Sequence, residues 1–237
     1  MKSRVIVFTG STASGKSTQM YLLCSLLKRW GEKCLRLSVA PFSNLLILKL
    51  IKKVAESSYP IKITDKSDIA FIEAINPKLL ERILSILVFI NFVKLVFITL
   101  IVKILNTLGI IVLIEDYAPQ MILDHLLYSK LYKDSNTTVH NIIVYIESKV
   151  VTKLLKESFF IHVYATSVER ARRRSLTEVV GFYNEVTRSK LVISLYKKVS
   201  SQYIVVDTTN KTPLDTFFEI YARLPHDIRS CIFALKS

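Results

Sequence analysis

Short apolar runs alternate along this chain with longer stretches of helical spacing. Lys2–Thr9, built on Val5-Ile6-Val7-Phe8, reads as a strand. Thr18–Trp30 follows with Met20, Leu22, Leu23, Leu26 and Leu27 at helical spacing, and Gly31 ends it. Lys33–Val39 reads as a second strand, stopped by Pro41, and Phe42–Val54 as a helix. Residues from about 68 to 107 read as largely helical, with Pro77 as a break or first-turn residue. Gly109 ends that stretch, and Ile110–Ile114 is an unbroken apolar strand of the buried parallel type. Met121–Lys133 and Asn141–Leu155 read as helices, Phe159–Ala165 as a strand and Val168–Arg174 as a basic helix. Glu178–Val199 reads as helix, Tyr203–Val206 as the last strand and Pro213–Ala222 as the last clear helix. Strands alternating with helices predict an α/β fold with a parallel sheet covered on both faces. In such sheets ligands bind beyond the carboxyl ends of the strands.

The apolar stretch Ile83–Leu105 approaches the roughly 20 residues that a bilayer span requires. Lys94 near its middle and Lys103 near its end leave Ile83–Val93 and Leu95–Val102 as the longest charge-free runs, both too short. At about 100° per residue, Lys78, Glu81, Arg82, Ser85, Thr99, Lys103 and Asn106 share one sector. This predicts a buried or dimer-interface helix with a narrow wet stripe, with membrane attachment as the second reading. Lys94 falls off that stripe, so it either snorkels or meets an anion.

The chemistry starts directly after the first strand. Gly10-Ser11-Thr12-Ala13-Ser14-Gly15-Lys16-Ser17 spells G-x-x-x-x-G-K-S between a strand and a helix, the context a phosphate-binding loop requires. The glycines let the backbone wrap round a polyphosphate, and the helix start adds its positive end. Lys16 is placed to reach the β- and γ-phosphates, and the Ser17 hydroxyl to ligate Mg²⁺, with Thr18 alongside. Glu115-Asp116-Tyr117 ends the strand before it, the 166–174 segment follows another, and Asp207 ends the last. All should meet on one edge of the sheet. Glu115 or Asp116 would hold the metal or orient an acceptor. Arg170, Arg172, Arg173 and Arg174 would supply a lid, although this spacing cannot turn all four to one phosphate. Tyr117 and Gln120 are candidates for an acceptor site, and Asp207 with Thr208 for the adenine border.

The chain has 237 residues, which suits one domain. Its net charge is +14, yet the charges are scattered and no aromatic-interleaved basic module marks a nucleic-acid binder. Three cysteines without metal-ligand spacing, beside a nucleotide motif, argue for a reducing cytoplasm. The first strand begins at the N-terminus, so no signal peptide is expected.

Four segments together resemble the thymidylate kinases, within the nucleoside monophosphate kinases. They are Val7 through Gln19, Gly109 through Tyr117, Phe182 through Tyr196, and Tyr203 through Asp207. The resemblance implies a three-layer α/β/α P-loop kinase fold with a central parallel sheet of about five strands. It implies a single domain over residues 1–237 with a basic lid around 166–181. It implies ATP and Mg²⁺ as cofactors, a nucleoside monophosphate as substrate, dTMP first among them, and a homodimer. Counting back fifteen residues from Gly109 lands on Lys94, where the family places an arginine on the acceptor nucleotide. Phe89 lies one position from the family's base-stacking aromatic. Three departures stand out. Glu115-Asp116 replaces the family's Asp-Arg, Val39-Ala40-Pro41 its Arg-Glu-Pro, and Thr9 a glutamate. They leave open a different acceptor, a P-loop ATPase, or a degenerate nucleotide-binding protein with a switch, structural or membrane role.

Overall fold

The computed structural model describes residues 4–10, 13–38, 77–115, 149, 158–173, 193–194, 202–226 and 228–229, with the backbone alone at 77–91, 167 and 171. Five strands form one sheet: β1 Val5–Thr9, β2 Cys34–Ser38, β3 Ile111–Glu115, β4 Phe159–Tyr164 and β5 Tyr203–Asp207. Their spatial order is β2-β3-β1-β4-β5, and every pairing is parallel. Four helices accompany them among the described residues: α1 Lys16–Arg29, α2 Pro77–Thr107, α3 Ser167–Arg173 and α4 Pro213–Arg223. The expected α/β architecture with a five-stranded parallel sheet is therefore present. The helices expected at Phe42–Val54 and Met121–Lys133, and most of Asn141–Leu155 and Glu178–Val199, lie outside the described residues.

Alternation along the strands explains the core. Ile6, Phe8, Leu113, Ile161 and Val163 face Leu23 and Leu27 of α1 and Phe217 and Ile220 of α4 in one cluster. Burying each such side chain contributes about 1.5–3 kcal/mol. The residues between them, Val7, Val112, Ile114 and Phe160, are also fully buried, as strands covered on both faces must be. Helix α2 packs against β3, and its Leu95 and Val102 are buried outside the first cluster.

Local chemistry sets the helix ends. Pro77 stands at the first position of α2, where its missing N–H costs nothing. At the far end the Gly109 N–H reaches the Asn106 carbonyl and the Ile110 N–H reaches that of Leu105, both at 3.0 Å. This closing motif needs the positive φ of 75° that Gly109 supplies. Helix α4 opens on a reciprocal cap between Thr212 and Asp215, with Pro213 following.

One residue departs from the stripe expected on α2. Thr99, placed on the wet stripe, is buried, and its hydroxyl donates to the Leu95 carbonyl at 2.7 Å. The outward face is apolar instead, carrying Val93, Phe97, Leu100 and Ile104. Lys103 stays exposed beside that face.

Candidate active site

The carboxyl ends of β1, β3, β4 and β5 bring the candidate residues to one edge of the sheet. The chain leaves β1 at Gly10 with φ 140° and enters α1 through Ala13 at φ 62° and Gly15 at φ 95°. A Cβ on Gly10 would stand 1.8 Å from the Val163 carbonyl oxygen of β4, so only glycine fits. Ser14 is fully buried, and its Oγ meets no hydrogen-bond partner among the described residues. A buried, unmet hydroxyl inside a phosphate-type loop is what an absent anionic ligand would satisfy.

Lys16 lies in the loop with 7% exposure and donates from Nζ to the Gly10 carbonyl at 2.6 Å. One residue on, the Ser17 hydroxyl donates to Glu115 Oε1 at 2.8 Å. These two residues are 98 positions apart in sequence and come together because β3 neighbours β1. Their oxygens form a hard donor pair of the kind that holds Mg²⁺ beside phosphate oxygens. No cluster of three or more His, Cys, Asp or Glu suited to a metal occurs among the described residues.

Behind the loop, α3 supplies cations. Glu169 is 5% exposed and anchors both neighbouring arginines. Arg172 donates to it from Nε at 2.8 Å and from a terminal nitrogen at 2.9 Å, and Arg173 donates from Nε at 2.9 Å. The Arg172 bonds, with those of Arg173, hold the Glu169 carboxyl below the usual glutamate range. Arg173 then spans the site. It donates to the Thr208 carbonyl at 2.7 Å, to Thr208 Oγ1 at 3.1 Å and to the Ala13 carbonyl at 3.3 Å. The Thr208 hydroxyl in turn donates to the Ser14 carbonyl at 3.0 Å. Arg173 and Thr208 therefore tie the loop to β5.

A cavity of about 620 Å³ opens between the loop, α3 and the turn from β5 into α4. Ser14, Gly15, Thr18, Arg172, Arg173 and Thr208 help line it. Arg170 does not, and its residue is only 3% exposed. Asp207 is turned to its own loop, accepting from the Thr209 N–H at 2.8 Å. Ser11, Thr12, Asp116, Tyr117, Gln120 and Arg174 lie outside the described residues, as does the side chain of Phe89. Lys94 is half-buried on α2, and burial holds its ammonium below the usual lysine range.

Solved structures supply a comparison. The thymidylate kinase of Candida albicans aligns over 98% of this chain and 94% of its own, at 14% identity and a TM-score of 0.50. The fold is that of the P-loop kinases. The thymidylate kinase of Ehrlichia chaffeensis aligns over 94% of this chain and 98% of its own, at 14% identity and a TM-score of 0.43. At this identity the likeness is one of fold. No family model and no curated protein sequence matches the chain.

Two residues at this edge of the P-loop kinase fold escaped the sequence reading. Glu169 carried a usable signal, since acids three and four residues before arginines pair on a helix. His162 carried a fainter one, a single polar residue inside the apolar run of β4. It is 1% exposed, and its Nδ1 shares a 3.0 Å hydrogen bond with Thr9 Oγ1 on the adjoining strand. Burial, with the Lys16 charge second, pushes its pKa down from 6.5 to about 4.

A depressed histidine pKa means that the unfolded chain binds the proton first as pH falls. The stability due to neutral His162 is thus complete above about pH 6.5 and lost progressively down to about pH 4. Urea unfolding at pH 7 and pH 5 should differ by about 2 kcal/mol through this group. His162→Gln should remove that difference, and an unchanged slope in this variant would refute the assignment.

Proposed function

We propose that this chain is a nucleoside monophosphate kinase, which moves the γ-phosphoryl group of ATP to a monophosphate acceptor, with dTMP the first to test. The Ser17–Glu115 pair, 2.8 Å apart beside Lys16 in a phosphate-type loop, carries the reading. Loop N–H groups from Gly10 to Ser17 would cradle the polyphosphate. Lys16 would leave the Gly10 carbonyl for the β- and γ-phosphates. Ser17 and Glu115, with Asp116 alongside, would hold Mg²⁺, which supplies charge neutralisation on the transferred group.

The cavity beside Thr18, Arg172 and Arg173 fits the nucleoside end of ATP, with Thr208 at its border. Arg172 and Arg173, with Arg174 from the same basic segment, form the cationic lid of the proposal. Positioning and charge neutralisation would provide most of the rate, and closure would exclude water. On the acceptor side, α2 runs back from β3, so its 1.5 Å rise carries Lys94 about 20 Å from Thr107 toward the site edge. Lys94 would meet the acceptor phosphate, with Phe89, Tyr117 and Gln120 around the base. A single domain over residues 1–237, a cytoplasmic setting and a homodimer complete the proposal.

The test is ADP release from Mg-ATP with dTMP, dUMP, UMP, CMP, AMP and GMP in turn. One acceptor should stimulate turnover well above the ATP-only rate. Lys94→Ala should then raise the KM for that acceptor about tenfold, with the KM for ATP unchanged. Turnover that no acceptor stimulates would refute the kinase reading.

A further inference from the structure

Over its described side chains, residues 92–107, helix α2 is apolar on both sides, and only one side is covered. Leu95, Thr99 and Val102 are buried. Val93, Phe97, Leu100, Ile104 and, in the turn beyond, Leu108 are each between 50% and 63% exposed. At about 100° per residue these five fall in one stripe, opposite the buried residues and about 22 Å long. Cations border it. Lys103 is exposed along one side. At the far end the Arg4 side chain donates to the Gly109 carbonyl, and exposed Lys33 lies beside the start of β3. No acidic residue occurs from position 92 to 110, in a chain of net charge +14.

We propose that this face docks on an anionic phospholipid surface. The apolar side chains would sit at the boundary of headgroups and acyl chains, and the bordering cations would meet lipid phosphates and carboxylates. Charge complementarity selects this occupant. A dimer closed through this stripe would bring two strongly basic chains together. A negative bilayer removes that objection. The attachment is peripheral, because the inner face of α2 packs against β3, and among the described residues no helix is long and apolar enough to cross a membrane. This inference does not rest on the kinase reading.

The full chain is floated with vesicles of phosphatidylcholine, with and without phosphatidylserine. Binding should require phosphatidylserine and weaken with salt. The double variant Phe97→Ser/Ile104→Ser keeps every charge and should bind about tenfold more weakly or worse. Phe97→Trp gives an independent reading that leaves the stripe apolar. Its emission should shift to the blue on phosphatidylserine vesicles and be quenched by brominated acyl chains. The proposal is overturned by no flotation, by equal flotation of the double variant, or by no spectral shift. It is equally overturned by a dimer in sedimentation velocity that the double variant dissolves.

Discussion

Lys16→Ala is expected to cut acceptor-stimulated ADP formation about a thousandfold, the scale on which removing a cation from a phosphoryl-transfer site acts. The Lys16 ammonium is held against the Gly10 carbonyl at 2.6 Å, inside the loop, and the proposed reaction moves it to the γ-phosphate. Alanine removes the charge and leaves the backbone path of the loop intact. The fold should survive, since a lost side-chain hydrogen bond costs about 1 kcal/mol. The coupled ADP assay and a thermal melt, run on one preparation, check both halves. Retention of most activity would remove Lys16 from the site, whatever the melt shows.

The largest effect on stability is expected at Gly10. A Cβ there would stand 1.8 Å from the Val163 carbonyl oxygen and 3.2 Å from Ser14 Oγ, at a φ of 140° that side chains rarely adopt. The obstacle is backbone in the middle of the sheet, so it cannot rotate away. Strain and overpacking together should make Gly10→Ala about 4 kcal/mol less stable. In a chain of this size that lowers the melting temperature by about 10 °C. Gly109→Ala is the matched comparison. Its φ is 75°, but its Cβ would meet only the end of the Arg4 side chain at 3.2 Å. That variant should lose about 1–2 kcal/mol. Equal losses at the two glycines would show that the close approach to β4 does not matter.

Much of the site was legible because its signals are local. A strand, a glycine-bounded loop and a helix in that order leave the backbone few other shapes, so the start of α1 at Lys16 followed from the motif. Glu115 announced itself as a carboxylate closing an apolar run. His162 and Glu169 did not. Their partners, Thr9 and the Arg173–Thr208 bridge, arrive from distant segments through the strand order. The arginine cluster was half resolved by the same means. Spacing showed that four arginines could not share one phosphate, but only burial separated Arg170 from Arg172 and Arg173.

Helix α2 marks the limit most sharply. Its end before Gly109 is a local property and follows from the residues, while Pro77 read only as a break or first turn within a stretch from about 68. Which side faces water does not, because nearly every position is apolar and the helical period has little polar contrast to work on. The sequence by itself determined the element order, the parallel sheet and the phosphate-type loop, since turn chemistry and apolar period act within a few residues. Only the tertiary structure decided that Ser17 meets Glu115, that Arg173 ties the loop to β5, and that Phe97 and Leu100 face outward while Thr99 is buried. Those outcomes depend on which strands become neighbours and which surface each helix finds covered.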